Sequence, residues 1–132
     1  MAGAEETDEL KELAEGLGIS ESAHFLGRRS DISQLLSAMD VFIFPSFREG
    51  LPVSVVEAQA AGLPVLMSDT VTDEVCIRDH IKRLSIDADP KAWAKEIETM
   101  PDDLRASAFE KVRDCGWDIN KCANTLVDFY ER

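Results

Sequence analysis

Apolar residues recur every three or four positions in six stretches of the chain, and this spacing predicts helices. The first predicted helix carries Leu10, Leu13 and Leu17 and ends at Gly16 or Gly18, since glycine commonly closes a helix. The next two follow the stretches RRSDISQLLSAMD and LPVSVVEAQAAG. The last three follow DPKAWAKEIETM, PDDLRASAFEKVRDCG and DINKCANTLVDFYER.

Short solid runs of apolar residues predict strands between these helices. They cover 24–26 in SAHFLG, 41–45 in DVFIFPS, 63–69 in LPVLMSD and a short edge strand at 83–87 in RLSID. Runs that are apolar on both faces are typical of parallel strands, which helices cover on both sides. We therefore predict an α/β fold with a parallel sheet flanked by helices. The α/β core would occupy about 1–87 and the C-terminal helices about 89–132.

The composition narrows the classes of function. The chain has 132 residues, which suits one compact domain or part of a larger protein, and a net charge of −12. We expect no nucleic-acid partner, because such binding depends on Lys and Arg. No apolar run approaches the ~18 residues of a membrane span, and the acidic N-terminal stretch lacks the apolar core of a signal peptide. Three cysteines without CxxC spacing predict reduced thiols and a cytoplasmic protein.

Two acids, Glu49 and Glu57, lie in the largely apolar stretch PSFREGLPVSVVEAQAAGLPVL. Glu49 falls after the predicted strand 41–45, at the sheet edge where parallel sheets bind ligands. The helix that begins near Pro52 offers free backbone N–H groups, which suit a phosphate, and Gly50 allows a ligand close to the backbone. Glu57 lies roughly 7–8 Å further along the helix at ~1.5 Å per residue. Its carboxylate suits the vicinal hydroxyls of a ribose, so the pattern predicts a nucleotide-sugar site.

Two other interpretations of these acids stay open. Acids near a helix N-terminus are favourable without any ligand, so Glu49 and Glu57 have a purely structural alternative. A two-carboxylate glycoside hydrolase ranks lowest, because that chemistry needs both acids beside one sugar bond. A stand-alone α/β binding or oligomerisation module, which kept the scaffold without catalysis, is the alternative from another class of function.

Three stretches of the chain resemble one family. REGLPVSVVEAQAAGLPVLMSD resembles the donor-binding signature of retaining GT-B glycosyltransferases of group 1 type, with its Glu-x7-Glu pair. AHFLGRRSDISQLLSAMDVFIFPS is similar to the segment that precedes it in those enzymes. TDEVCIRDHIKRLSIDADPKAWAKEI resembles bacterial members that build capsular and exopolysaccharides. The resemblance implies a Rossmann-like parallel sheet and part of a GT-B C-terminal, donor-binding domain.

The resemblance also implies a role for each matching position. Glu49 is the expected catalytic-site residue and contacts the donor hexose hydroxyls, Glu57 binds the ribose, and Gly27 and Arg28 line the nucleobase. The donor sugar and diphosphate would meet the backbone of Glu49, Gly50, Leu51, Pro52 and Val53. The family needs no metal in this site and no cofactor, since a nucleotide diphosphate sugar is the donor substrate. His24 and His80 do not match the family's catalytic histidine.

The match covers only the later part of the family's donor domain. It implies a missing acceptor domain as a partner and an enzyme that transfers a hexose to a polysaccharide or lipid-linked acceptor at the inner membrane face. We expect the chain alone to be inactive, because the basic residues that face the diphosphate are absent from the match. Arg28, Arg29 and Arg48 supply some positive charge, with Arg48 the best placed. The family's first strands would lie between the predicted strands 24–26 and 41–45, so we expect a rearranged sheet or a homodimer through an open sheet edge.

Overall fold

The computed structural model of the chain describes residues 8–77, 81–101 and 108–131. They fall into two compact units that divide between Gln34 and Leu35. The helices are α1 (Asp8–Gly16), α2 (Ile32–Ser37), α3 (Val53–Ala60), α4 (Pro90–Glu98), α5 (Ala108–Asp114) and α6 (Ile119–Tyr130). The strands are β1 (Phe42–Phe44), β2 (Val65–Ser68) and β3 (Ile81–Leu84), with one 3-10 turn at Asp73–Val75.

In the first unit, α1 ends through Gly18 rather than Gly16. The Ile19 N–H donates to the Ala14 carbonyl at 3.0 Å, and the Gly18 N–H donates to the Glu15 carbonyl at 2.9 Å. Gly18 has φ +69°, the left-handed conformation that this paired closure requires. The sequence left both glycines as candidates, and the backbone hydrogen bonds select the second.

The predicted strand at 24–26 is wrong. Residues 23–26 adopt no regular element, and Gly27, with φ +59°, forms only an isolated bridge. A strand requires a ladder of hydrogen bonds to a neighbour, whatever its own apolar pattern. Within the described ranges this segment forms no such ladder, so its apolar side chains are held in irregular backbone.

The second unit contains a three-stranded parallel sheet in the order β1-β2-β3. Phe42 pairs with Val65, and Val65 in turn pairs with Ile81. All four residues of the central strand β2 are buried, and α3 packs on β1 and β2. The predicted α/β class and parallel sheet are confirmed. The strands keep chain order, so the expected rearrangement is wrong for this sheet, while pairing with a second copy stays a prediction.

The other predicted strands and helices are present, but several of their boundaries differ from the prediction. The strands predicted at 41–45 and 63–69 are shorter by a residue or more at each end in β1 and β2. The edge strand expected at 83–87 is shifted, because β3 pairs with β2 only through Ile81–Leu84 and the chain then turns toward α4. Part of the helix predicted at 101–116 is α5, and 102–107 lie outside the described residues. None of the helices that the structure describes is long and apolar enough to cross a membrane.

Gln59 is a buried polar side chain that joins α3 to the segment after β2. Its Nε2 donates to the carbonyls of Val55 at 3.1 Å and Val75 at 2.6 Å. Its Oε1 accepts from the Ile77 N–H at 2.9 Å. The side chain is 1% exposed, so water does not satisfy these groups. The 3-10 turn therefore depends on one amide for its attachment to α3.

We expect Gln59→Leu to destabilise the protein by about 2–4 kcal/mol, because it keeps the side-chain volume but removes the partner of the buried Val75 carbonyl and of the part-buried Ile77 N–H. Urea denaturation followed by circular dichroism measures the change. Gln34→Leu is the matched control, since Gln34 is exposed; it is expected to change the free energy of unfolding by less than about 0.5 kcal/mol. Equal effects of the two substitutions would contradict the assignment.

Gly16 and Gly18 form a second matched pair, because an added Cβ meets no atom within 4 Å at either position. Gly18→Ala is expected to cost about 1–2 kcal/mol, since alanine is strained at positive φ. Gly16→Ala is expected to stabilise by about 0.5–1 kcal/mol, since Gly16 is helical. The same denaturation experiment checks both, and a stabilising Gly18→Ala would disprove the proposed helix closure.

Candidate functional site

The carboxyl ends of β1, β2 and β3 form one edge of the sheet, because the three strands are parallel. The loop 45–52 leaves β1 at this edge and leads into α3. Open α/β sheets bind ligands at such an edge. Five of the predicted site residues, at 49–53, lie in this loop or at the start of α3.

Ser46 is anchored on both sides of its backbone by side chains at the end of β2. Its N–H donates to the Ser68 hydroxyl oxygen at 3.1 Å. Its carbonyl accepts from the hydroxyl of Ser68 and, at 2.8 Å, from that of Thr70. Ser68 is fully buried and is the last residue of β2. The start of the loop therefore has its position set by the centre of the sheet.

The segment that carries Thr70 is held in turn by β3. Arg83 donates through Nη2 to the carbonyls of Asp69, at 3.0 Å, and Val71, and its guanidinium forms an ion pair with Asp73. The Asp69 N–H also donates to the Leu84 carbonyl at 3.0 Å. The carboxyl ends of all three strands are therefore connected by hydrogen bonds between backbone groups and the side chains of Ser68, Thr70 and Arg83.

Glu49 is exposed and accepts one hydrogen bond, from the Ser46 hydroxyl to its Oε1 at 2.8 Å. Because Ser46 is anchored to β2, this bond gives the loop carboxylate a defined position. The other carboxylate oxygen has no hydrogen bond within the described part of the chain. The sequence indicated Glu49 but not its partner.

The N-terminus of α3 has no side-chain cap. Pro52 occupies the capping position with φ −75° and ψ 93°, and its side chain has no group that accepts a hydrogen bond. The Val55 N–H bonds to the Pro52 carbonyl at 3.0 Å, which leaves the first turn otherwise dependent on other acceptors. Beside it, a Cβ added to Gly50 would meet nothing within 4 Å. Space next to the backbone is open at this end of the helix.

Glu57 lies on the exposed face of α3, one turn after the half-exposed Val53. The buried face of the same helix carries Val55, Val56 and Ala58. Among the described residues, the Glu57 carboxylate has no hydrogen bond or ion pair. The apolar residues around it in the sequence therefore point away from it, and the carboxylate is available to a ligand.

The basic candidates differ in what they contact. Arg48 is exposed and makes no side-chain hydrogen bond or ion pair with the described residues. Arg29 instead forms a two-point ion pair with Asp31, at 2.7 Å and 2.5 Å. This hydrogen-bonded pair raises the pKa of Arg29 and lowers the pKa of Asp31. Arg29 is therefore occupied by Asp31, whereas Arg48, next to Glu49 in the sequence, is paired with none of the described residues.

The nucleobase candidates belong to the first unit. There, Gly27 is half-buried with φ +59° and Arg28 is exposed. His24 is exposed in the same unit, and His80 lies outside the described residues. Across the described ranges, no group of three His, Cys, Asp or Glu side chains is arranged to hold a metal ion.

Comparison with known proteins adds independent findings. The family model described as glycosyl transferases group 1 matches residues 1–113. A Bacillus subtilis (strain 168) protein named as glycosyltransferase EpsF is 33% identical over 132 positions, which cover 92% of this chain and 33% of that protein. An Escherichia coli UDP-Gal:alpha-D-GlcNAc-diphosphoundecaprenol alpha-1,3-galactosyltransferase is 30% identical over 112 positions, 80% of this chain and 28% of that protein.

A solved structure is also similar. The crystal structure of WaaG, a glycosyltransferase involved in lipopolysaccharide biosynthesis, matches with a TM-score of 0.67 and 25% identity. The match covers 86% of this chain and 32% of WaaG. The chain thus spans about a third of the length of these relatives.

We expect Ser68→Ala to loosen the start of the loop 45–52, because it removes both hydrogen bonds between Ser68 and the Ser46 backbone. The Ser46 N–H then keeps its hydrogen bond to the Phe44 carbonyl at 3.1 Å, and the Ser46 carbonyl keeps its bond from Thr70. The Ser46 amide should then exchange its hydrogen about tenfold faster, the equivalent of one net hydrogen bond. Hydrogen exchange followed by NMR measures this, with the Leu66 amide in the centre of β2 as the internal reference.

Thr125→Ala is the matched control, since the hydroxyl of the exposed Thr125 bonds, among the described residues, to the Lys121 carbonyl on α6 alone. It should leave the Ser46 amide unchanged. Equal acceleration of Ser46 and Leu66 in Ser68→Ala would indicate global destabilisation and would argue against a local anchor.

Proposed function

Because the chain belongs to the group 1 glycosyltransferases, we propose that it is the nucleotide-sugar-binding portion of an enzyme that transfers a hexose from a nucleotide diphosphate sugar. The acceptor is proposed to be a polysaccharide or a lipid-linked sugar. This acceptor class is supported by the Escherichia coli relative, whose name gives a diphosphoundecaprenol-linked sugar. An acceptor-binding domain is the proposed partner, since the chain spans about a third of its relatives.

The observation that carries this proposal is the uncapped start of α3 at the ligand-binding edge, with a carboxylate on each side of it. The free N–H groups and the positive end of the helix dipole suit the diphosphate. The backbone at 50–53 approaches it closely, and Arg48 adds positive charge. Glu57 binds the ribose hydroxyls further along the helix.

Glu49 is proposed to bind the donor hexose at the reacting end. Its loop precedes the helix terminus, so a diphosphate over the terminus places the sugar on the Glu49 side and the ribose on the Glu57 side. Gly27 and Arg28 are proposed to line the nucleobase. The donor is a substrate, and the proposed site uses neither a metal nor a cofactor. The proposed setting of the complete enzyme is the cytoplasm, at the inner membrane face.

A binding or oligomerisation module without catalysis is the competing function. One observation favours it: α6 exposes large apolar side chains, including Ile119 at 79% and Tyr130 at 81%. Surfaces of this kind are typical of sites that contact another protein. The inactivity of the chain by itself stays a prediction under both functions.

Calorimetric titration with UDP, GDP and their sugars tests the proposal. We expect the chain to bind one of these nucleotides, and Glu57→Ala to weaken that binding tenfold or more, because hydrogen bonds to a charged group contribute about 1.5–3 kcal/mol. Glu98→Ala is the matched control, since Glu98 is an exposed helical acid on α4. Absence of binding to every nucleotide would favour the module, and unchanged affinity in Glu57→Ala would disprove the ribose role.

A further inference from the structure

We propose that Ser46 is a positioning residue for Glu49, one that holds this carboxylate ready for the donor sugar. The inference rests on the proposed function, because it takes Glu49 to be the residue that meets the hexose. Its starting point is the hydrogen bond from the Ser46 hydroxyl to Glu49 Oε1 at 2.8 Å. A neutral donor on a charged acceptor makes one of the stronger hydrogen bonds in proteins.

Ser46 is suited to this role because its own backbone is fixed. Its N–H and its carbonyl are both bonded to Ser68, and the carbonyl also accepts from Thr70. Ser68 is 0% exposed in the central strand, so the anchor belongs to the most buried part of the sheet. The serine hydroxyl is separated from this held backbone by one rotatable side-chain bond, so it can occupy few positions and restricts the group that it bonds.

The consequence for Glu49 follows from its exposure. A free glutamate in a loop samples many rotamers and loses this freedom when it binds a ligand. With Oε1 held by Ser46, the carboxylate is already ordered, and Oε2 is left to accept from a sugar hydroxyl. Ordering a group before the ligand arrives raises the affinity for that part of the ligand alone.

The test compares a nucleotide diphosphate with the corresponding nucleotide sugar, both titrated into the 132-residue chain. We expect Ser46→Ala to weaken binding of the nucleotide sugar about three- to tenfold, the range of one net hydrogen bond, and to leave the nucleotide diphosphate unchanged. Ser46→Thr keeps the hydroxyl and should restore the sugar affinity to within about twofold. Ser20→Ala removes the hydroxyl of an exposed serine outside the loop 45–52 and should affect neither ligand.

A double-mutant cycle shows whether Ser46 acts through Glu49. In a Glu49→Ala background, Ser46→Ala should cause no further loss of sugar affinity, because the group that it orders is gone. The inference is overturned if Ser46→Ala weakens both ligands equally, or if its effect persists in the Glu49→Ala background. Either result would make Ser46 part of the general loop structure.

A second measurement needs no ligand. It therefore tests the positioning of Glu49 by Ser46 independently of the proposed nucleotide-sugar site. Three-bond NMR couplings report whether the Glu49 side chain occupies one rotamer. We expect one rotamer in the natural chain and averaged couplings in Ser46→Ala. If the natural chain binds no nucleotide, the proposed function fails, yet these couplings still show whether Ser46 holds Glu49. Averaged couplings in the natural chain would overturn the inference directly.

Discussion

The structure of the second unit depends on the burial of β2 between its two parallel neighbours, β1 and β3. Its residues Val65, Leu66 and Met67 are 0% exposed, and each pairs with a residue on both sides. Parallel pairing forces all three strand ends to one edge. The loop 45–52, the segment after β2 and the turn after β3 must then meet there. The candidate site lies at this edge because the sheet leaves no other place for these connections.

Two buried polar side chains make that arrangement specific. Ser68 connects β2 to the loop before α3, and Gln59 connects α3 to the turn after β2. Both are almost completely buried, so each requires hydrogen-bond partners, and each has partners among the backbone groups of a neighbouring segment, 46 for Ser68 and 75–77 for Gln59. Apolar packing alone fixes layers of helix and strand but not the path of a loop. The hydrogen bonds of Ser68 and Gln59 fix the paths of these two segments, which apolar packing does not determine.

The features predicted correctly from the sequence are those that depend on a local pattern of residues. The apolar runs of β1 and β2 are local signals, and the structure places a strand at each of them. The strand at 24–26 failed because a strand depends on a neighbour that no local pattern reveals. Ser68 and Gln59 were missed for a related reason, since their partners lie 22 and 16–18 positions away in the chain. Neither serine nor glutamine shows from its type that it will be buried.

The two carboxylates of the site differ in how their positions are set, and this difference follows from the elements that carry them. Glu57 stands on a helix whose opposite face is fully buried, so the helix itself fixes its backbone and no side-chain partner is required. Glu49 lies in a loop, where no regular backbone hydrogen bonding restricts its position. There, the hydrogen bond from the anchored Ser46 restricts the carboxylate instead. A ligand bound over the start of α3 would meet a Glu49 carboxylate held by Ser46 and a Glu57 side chain that extends from a fixed helical backbone. The acids that looked misplaced in an apolar stretch are therefore exposed, and the apolar residues around them form the framework that holds them.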